Sequence, residues 1–304
     1  IEKTRELEFF LYAVDNYDIF HFHSGCSLFR QSYSLWGRLD ELKLLKKLGK
    51  KIVISWWGCD LRTEEVDINF KYSACSECED SIREWCRNST EKRETIKRAF
   101  EYADINLSNG DIVSSYKDVR WIDNAIDCNE WKPMQKEEIP EEYRLKDSEN
   151  LRIYHSFGNS SLRGDVIGTE YIKRAVNRLQ EEGYKVEFIF FDNVPNRDIK
   201  YYQAQADIVV DQLRAGWHGS TAMECMAMGK PVITYIRPEV EAVLPHDHPL
   251  INANLDNIYE VLKNLVTKRD LIKIIGEQSR QYCVNYHSYD NIACELGDIY
   301  NSII

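Results

Sequence analysis

Short apolar runs of strand length recur between segments of helical period along almost the whole chain. That alternation constrains the fold more than any other feature. In the first half, Ile19–Phe22, Lys51–Trp56, Ala103–Leu107 and Val119–Ile122 read as strands, with Glu6–Val14, Leu39–Leu48 and Lys92–Tyr102 as the helices between them. In the second half, strands at Leu151–His155, Val186–Phe191, Ile208–Val210 and Pro231–Tyr235 alternate with helices at Thr169–Glu182, Thr221–Met228, Leu255–Leu265 and Lys268–Tyr282, and the tail from Tyr289 is helical. Gly183 and Gly229 stop two of these helices. The pattern predicts an α/β protein whose parallel sheets are covered by helices on both faces.

A chain of 304 residues favours two such domains. The stretch Pro133–Asn150 (PMQKEEIPEEYRLKDSEN) is polar, charged and carries two prolines, so it reads as an interdomain linker. The expected division is a first domain over 1–132, a linker over 133–150 and a second domain over 151–285. Ile292, Leu296, Ile299, Ile303 and Ile304 form an apolar stripe on the helical tail 286–304, and that stripe must be buried.

Composition removes several function classes. An apolar fraction of 43% and a charged fraction of 29% exclude a disordered or fibrous chain. With 39 Lys and Arg against 50 Asp and Glu, the net charge of −11 argues against a broad nucleic-acid-binding surface. The longest apolar stretches have strand length, so no helix is expected to span a membrane. The sequence shows no signal-peptide pattern. Nine cysteines are an odd number, too sparse for a disulfide scaffold, and point to a reducing cytoplasm. The basic segment Arg38–Lys51 reads first as a solvated helix face. The alternative is peripheral contact with an anionic lipid surface or a lipid-linked acceptor.

In open α/β sheets ligands gather at the carboxyl ends of strands, so the loops there hold the candidate residues. Alternation puts His21 and His23 on one side of the first strand, with His23 at its end and Gly25 permitting a turn. The next strand ends in Trp56-Trp57-Gly58-Cys59-Asp60-Leu61-Arg62, which suits a carbohydrate or nucleotide site, or else two core tryptophans and a helix cap. The loop Ser156–Gly164, with Asn159, Arg163 and Gly164, can aim N–H groups and a guanidinium at a phosphate, although no standard nucleotide fingerprint is met. The segment from Asp211 to Ile233 carries the strongest pattern: polar residues Asp211 and Gln212, a loop with Gly216, Trp217 and Gly219, a helix start at Ser220, and Glu224 one turn on. A helix N-terminus near Ser220 can hold phosphate while Glu224 accepts ribose hydroxyls; a plain capped helix is the simpler alternative. Cys75, Cys78 and Cys86 offer three thiols where zinc prefers four ligands, so reduced thiols are favoured over a structural zinc.

Glu224-Cys225-Met226-Ala227-Met228-Gly229-Lys230-Pro231-Val232-Ile233 resembles the E-x-M-A-x-G-x-P-V-I signature of family 4 (group 1) glycosyltransferases. His21–His23 is similar to the family's strand-end histidine pair, Gly58–Asp60 to its H-G-x-D segment, and Asn124–Asp127 with Trp131–Pro133 to its exit from the first domain. The resemblance implies the GT-B fold, two Rossmann-like doubly wound domains facing across a cleft, with the tail helix 286–304 packing back on the first. It implies transfer of a sugar from a nucleotide-sugar donor to a glycan or lipid-linked acceptor, with retention, in glycan or polysaccharide biosynthesis and with no metal or other cofactor. His23 and Glu224 would be the catalytic residues. Asn159, Arg163, Gly164, Asp211, Gln212, Gly216, Trp217, Gly219, Ser220 and Glu224 would hold the donor, and His21, Gly25, Gly58, Asp60 and Arg62 would lie on the acceptor side.

Three departures support an alternative, a non-catalytic sugar-binding or nucleotide-sugar-binding relative. Gly216 stands where the family usually has Glu, Ile167 stands where it usually has Lys, and the family's first strand and glycine-rich loop have no counterpart ahead of Ile19. A flavodoxin-like or periplasmic-type binding protein would also give two α/β domains, but leaves the Glu224–Ile233 signature unexplained.

Overall fold

A computed structural model of the chain describes residues 2–29, 39–157, 165–191 and 194–304. The chain divides into two compact units, one of residues 1–67, 80–123 and 293–304, the other of residues 68–79 and 124–292.

Among the described residues, the first unit is built on β1 (Ile19–His23), β2 (Lys51–Ser55), β3 (Ile105–Ser108) and β4 (Val119–Trp121), all parallel and adjacent in chain order. The apolar runs predicted as strands are the buried centre of this sheet: Ile52, Val53, Ile54 and Leu107 are fully enclosed. Leu42 and Leu45 of the helix Glu41–Lys47 and Ala99 of the helix Thr90–Tyr102 share one core with Ile52 and Ile54. Ser89 caps the latter helix by accepting the Lys92 N–H at 3.2 Å. Register pairs His23 with Ser55 and Ser55 with Leu107, so the loops after β1 and β2 leave one carboxyl edge.

The second unit carries β5 (Leu151–Ser156), β6 (Val186–Phe191), β7 (Ile208–Val210), β8 (Val232–Thr234) and β9 (Ile251–Asn252) in the order β6-β5-β7-β8-β9, again all parallel. The chain moves to one side of β5 to form β6 and to the other side to form β7. The carboxyl ends of β5 and β7 therefore flank a topological switch point, where such sheets take ligands. Ile153, Ile208, Val210 and Ile233 form the sheet's part of one core, with Val176 and Leu179 of the helix Thr169–Glu181 and Leu262 of the helix Ile258–Thr267.

Several expected boundaries move. Residues 133–150 are not a free linker but part of the second unit. Ile139 is buried, Tyr143 stacks on Tyr201 with ring centres 4.9 Å apart, and the Leu145 N–H donates to Gln205 Oε1 at 2.9 Å. The apolar groups scattered among the charges of this stretch give it a surface to dock. Residues 68–79, inside the range expected for the first domain, also belong to the second unit. Phe70 lies under the Arg237 guanidinium at 3.5 Å, and Tyr72 meets Tyr235 edge-on at 5.0 Å. Residues 293–304 of the tail belong to the first unit, where Ile299 is enclosed, whereas Ile304 at the end of the stripe is exposed.

The described part of the basic segment spends two of its charges internally. Lys46 pairs with Asp104 at 2.7 Å and Lys50 with Asp18 at 3.3 Å, while Arg38 lies outside the described residues. Among the described residues no helix is long and apolar enough to cross a membrane.

Candidate functional site

Asp211 follows β7 directly and is buried, because its neighbours Val210 and Leu213 are core residues. Its Oδ2 accepts the Gly219 N–H at 2.5 Å, which closes the intervening loop and sets Gly219 as the residue before the helix Ser220–Ala227. Inside that loop the Gln212 side-chain amide donates to the Trp217 carbonyl, and the Gln212 carbonyl accepts from the Tyr235 N–H at 2.8 Å. Trp217 and His218 are buried against each other, with ring centres 4.1 Å apart. Trp217, expected to touch the donor, is thus a core residue that stiffens the loop. Ser220 is exposed at the first helical position, where N–H groups without intrahelical partners can meet an anion.

Glu224 lies one turn into this helix. Its Oε2 accepts a 2.8 Å hydrogen bond from Gln203 Nε2, contributed by the helix Asn196–Gln203. Burial, together with the negative charge of Asp211, pushes the Glu224 carboxyl up to about 7 against the pull of the Gln203 hydrogen bond. Burial likewise pushes Asp211 up to about 6, opposed by the Gly219 N–H. Tyr154, fully enclosed on β5, places its hydroxyl toward Gln203 and Ser156, and burial drives its phenol well above the ordinary range. Gln203 and Tyr154 carry no motif, so sequence patterns do not point to them.

Gly216 has a structural cause. Its φ of +87° is in the left-handed region, and a Cβ there would overlap Cγ, Cδ and Nε of Arg237. Arg237 is itself enclosed, its N–H donating to the Gly216 carbonyl at 3.0 Å and its guanidinium stacked on Phe70. A cationic stem fills the volume that a glutamate at position 216 would need.

On the β5 side, Asn159, Arg163 and Gly164 lie outside the described residues. His155 is fully buried and bridges the Val210 carbonyl at 2.8 Å and Thr169 Oγ1 at 3.0 Å, tying β5 to β7 and to the next helix. The Ile167 carbonyl accepts the Leu213 N–H at 2.9 Å, which sets this apolar residue beside the loop after β7.

In the first unit, His21 is held at both ring nitrogens, 2.7 Å from Tyr300 Oη and 2.7 Å from Ser55 Oγ. Burial and the neighbouring His23 lower it to about 4, so it is neutral and structural near pH 7. His23 is exposed at the end of β1, stacked on His21 at 4.4 Å and on Trp57 at 5.8 Å, and burial lowers its pKa as well. Gly25 is needed for close approach: a Cβ would sit 2.8 Å from Thr95 Cγ2. Asp60 and Arg62, expected on the acceptor side, are internal scaffolding. The Asp60 carboxylate takes the N–H groups of Trp57 at 2.9 Å and Gly58 at 2.7 Å. Arg62 is bound to Asp111 at 2.6 Å and faces Asp67.

Among the described residues no group of three or more His, Cys, Asp or Glu side chains is placed to hold a metal ion. Cys86 Sγ lies 3.8 Å from the Lys92 ammonium.

Two units, each built on a parallel sheet with polar loops at the carboxyl ends of its strands, are the architecture of the GT-B class of glycosyltransferase folds. Residues 156–282 match the family described as Glycosyl transferases group 1. Solved structures of the same fold include sucrose-phosphate synthase from Thermosynechococcus elongatus, at 14% identity and a TM-score of 0.64, covering 98% of this chain and 77% of that one. Anabaena Alr3699/HepE in complex with UDP and glucose is 13% identical with a TM-score of 0.61, covering 98% and 81%. A glycosyltransferase from Rickettsia africae is 16% identical with a TM-score of 0.58, covering 98% and 80%. At these identities the likeness establishes the fold. No curated protein matches the chain.

Proposed function

We propose that this chain transfers a glycosyl group from a nucleotide-sugar donor to an acceptor hydroxyl of a glycan or lipid-linked glycan, with retention of configuration, in the cytoplasm. One observation carries the reading. The family match over 156–282 coincides with the loop and helix from Asp211 to Glu224 at the carboxyl end of β7, beside the switch point. In this reading the N–H groups at Ser220 and the Arg163 guanidinium meet the diphosphate, and their positive charge stabilises it as it leaves. Glu224 accepts ribose hydroxyls, with Gln203 holding one of its oxygens. Neutral His23 hydrogen-bonds a hydroxyl of the transferred sugar. The UDP held by the Anabaena protein makes uridine diphosphate sugars the first donors to test. All nine cysteines are free thiols, which supports a reducing compartment.

Thermal shift with UDP-, GDP-, ADP- and CMP-sugars tests donor binding. The matching donor should add about 2.7 kcal/mol at a hundredfold excess over its dissociation constant. Release of the nucleoside diphosphate in the presence of acceptor tests transfer, and a chain that no nucleotide sugar stabilises would refute the proposal. Arg163→Ala should weaken nucleoside diphosphates more than nucleosides. The second reading, a non-catalytic relative, is favoured by the Arg237 stem in the space at Gly216, and it predicts donor binding without turnover.

A further inference from the structure

We propose that the indole of Trp57, backed by His23, is a stacking platform for a neutral pyranose ring of the glycosyl acceptor. The inference rests on the glycosyltransferase reading above and adds to it the acceptor class and the residue that selects it.

A single exposed aromatic residue needs no special explanation. What sets Trp57 apart is that it is exposed and at the same time held still. The residue is 49% exposed. Its backbone N–H is fixed by both oxygens of the buried Asp60, at 3.0 and 2.9 Å. The indole lies nearly parallel to His23, at 16° and 5.8 Å, and His23 lies on His21 at 25° and 4.4 Å. His21 is pinned at both nitrogens by Tyr300 and Ser55. The three rings form a ladder rooted in the sheet, and its last rung is an indole at the edge of the unit. Little conformational entropy remains to be lost when a ligand lands on it, which is what preorganisation contributes to affinity.

The position and chemistry select the ligand. Trp57 follows β2 and His23 ends β1, so the platform stands at the carboxyl edge of a parallel sheet, where ligands gather. Arg62, the basic residue closest to it in sequence, is turned inward to Asp111 and Asp67, so it brings no charge to a phosphate. The platform offers one flat apolar face and the edge of a neutral imidazole. A pyranose ring matches that apolar face, with its C–H groups over the indole. A nucleotide would want a cation as well.

The test uses the whole chain and measures binding by saturation-transfer NMR. The probes are methyl glucoside, methyl galactoside, N-acetylglucosamine, maltose and cellobiose. The wild-type chain should bind at least one of them saturably. Trp57→Ala should bind it about tenfold more weakly, a loss of about 1.4 kcal/mol, and Trp57→Phe, which keeps a ring, should fall between. Unchanged melting of both variants and unchanged UDP binding would show that the fold and the second unit are intact. Equal binding by wild type and Trp57→Ala, or no binding of any saccharide by the wild type, overturns the proposal. So does loss of uridine binding in Trp57→Ala, which would make the platform a base-stacking site. Failure of the glycosyltransferase reading looks different: no nucleotide sugar stabilises the chain, whatever Trp57 does to saccharides.

Discussion

Gln203 Nε2 donates a 2.8 Å hydrogen bond to Glu224 Oε2 across 21 positions of sequence, joining two helices of the second unit. The amide favours the ionised carboxylate, while burial and Asp211 oppose it. Gln203→Leu should therefore raise the Glu224 carboxyl further above about 7 and cost about 1–3 kcal/mol of stability for the lost partner of a buried group. Titrating UDP binding between pH 6 and 9 should show the affinity midpoint moving upward in the variant. An unmoved midpoint would mean that Gln203 has no part in setting the Glu224 charge.

Gly216 and Arg237 compete for one volume. Gly216→Ala adds a Cβ inside the Arg237 stem and holds a non-glycine residue at φ +87°. The expected destabilisation is roughly 2–4 kcal/mol, from overpacking and backbone strain together. Chemical denaturation would measure it. A melting curve identical to wild type would mean that Arg237 yields freely.

His21 and His23 should separate cleanly on substitution although they stack. His21→Ala loses the contacts to Tyr300 and Ser55 and should lower stability by about 1–3 kcal/mol. His23→Ala removes an exposed imidazole and should leave melting nearly unchanged. Turnover of sugar transfer should fall at least about tenfold, while binding of the bare nucleoside diphosphate stays intact. Loss of stability without a specific loss of transfer would make His23 structural.

The pH dependence has two opposed parts. Burial lowers His21 and His155 to about 4 and His218 to about 3, from 6.5. The folded chain binds fewer protons than the unfolded one in that window, so the stability these groups contribute is lost as pH falls from 6.5 toward 4. Glu224 and Asp211 are raised to about 7 and about 6, so their contribution is present at low pH and is lost as pH rises through those values. Three histidines outweigh two carboxyls below 6.5, and the melting temperature should fall on acidification from pH 6.5 to 4.5. Glu224→Gln removes one opposing group and should steepen that fall. A variant curve parallel to wild type would contradict the shift at Glu224.

Much of this protein is local and therefore readable in its sequence. The strands announce themselves because a sheet covered on both faces needs continuous apolar runs such as Ile52–Ile54 and Ile208–Val210, and neither run has another place to go. Gly229 ends a helix by its own backbone freedom, and His23 reaches a strand end by simple alternation. Charge and docking are not local. Asp60 and Arg62 carry functional chemistry on paper, yet one is consumed by backbone N–H groups and the other by Asp111, 49 positions away. Residues 133–150 look like a linker until Ile139 and Tyr143 find the surface they pack against. The glycine at 216 makes sense only beside Arg237, and the charge of Glu224 only beside Gln203 and Asp211. Backbone periodicity acts over a few residues, so the chain determines its strands, its helices and the edge where they deliver their loops. Burial and partnership act through space, so only the tertiary structure decides which polar groups are spent on holding the fold and which remain to meet a ligand.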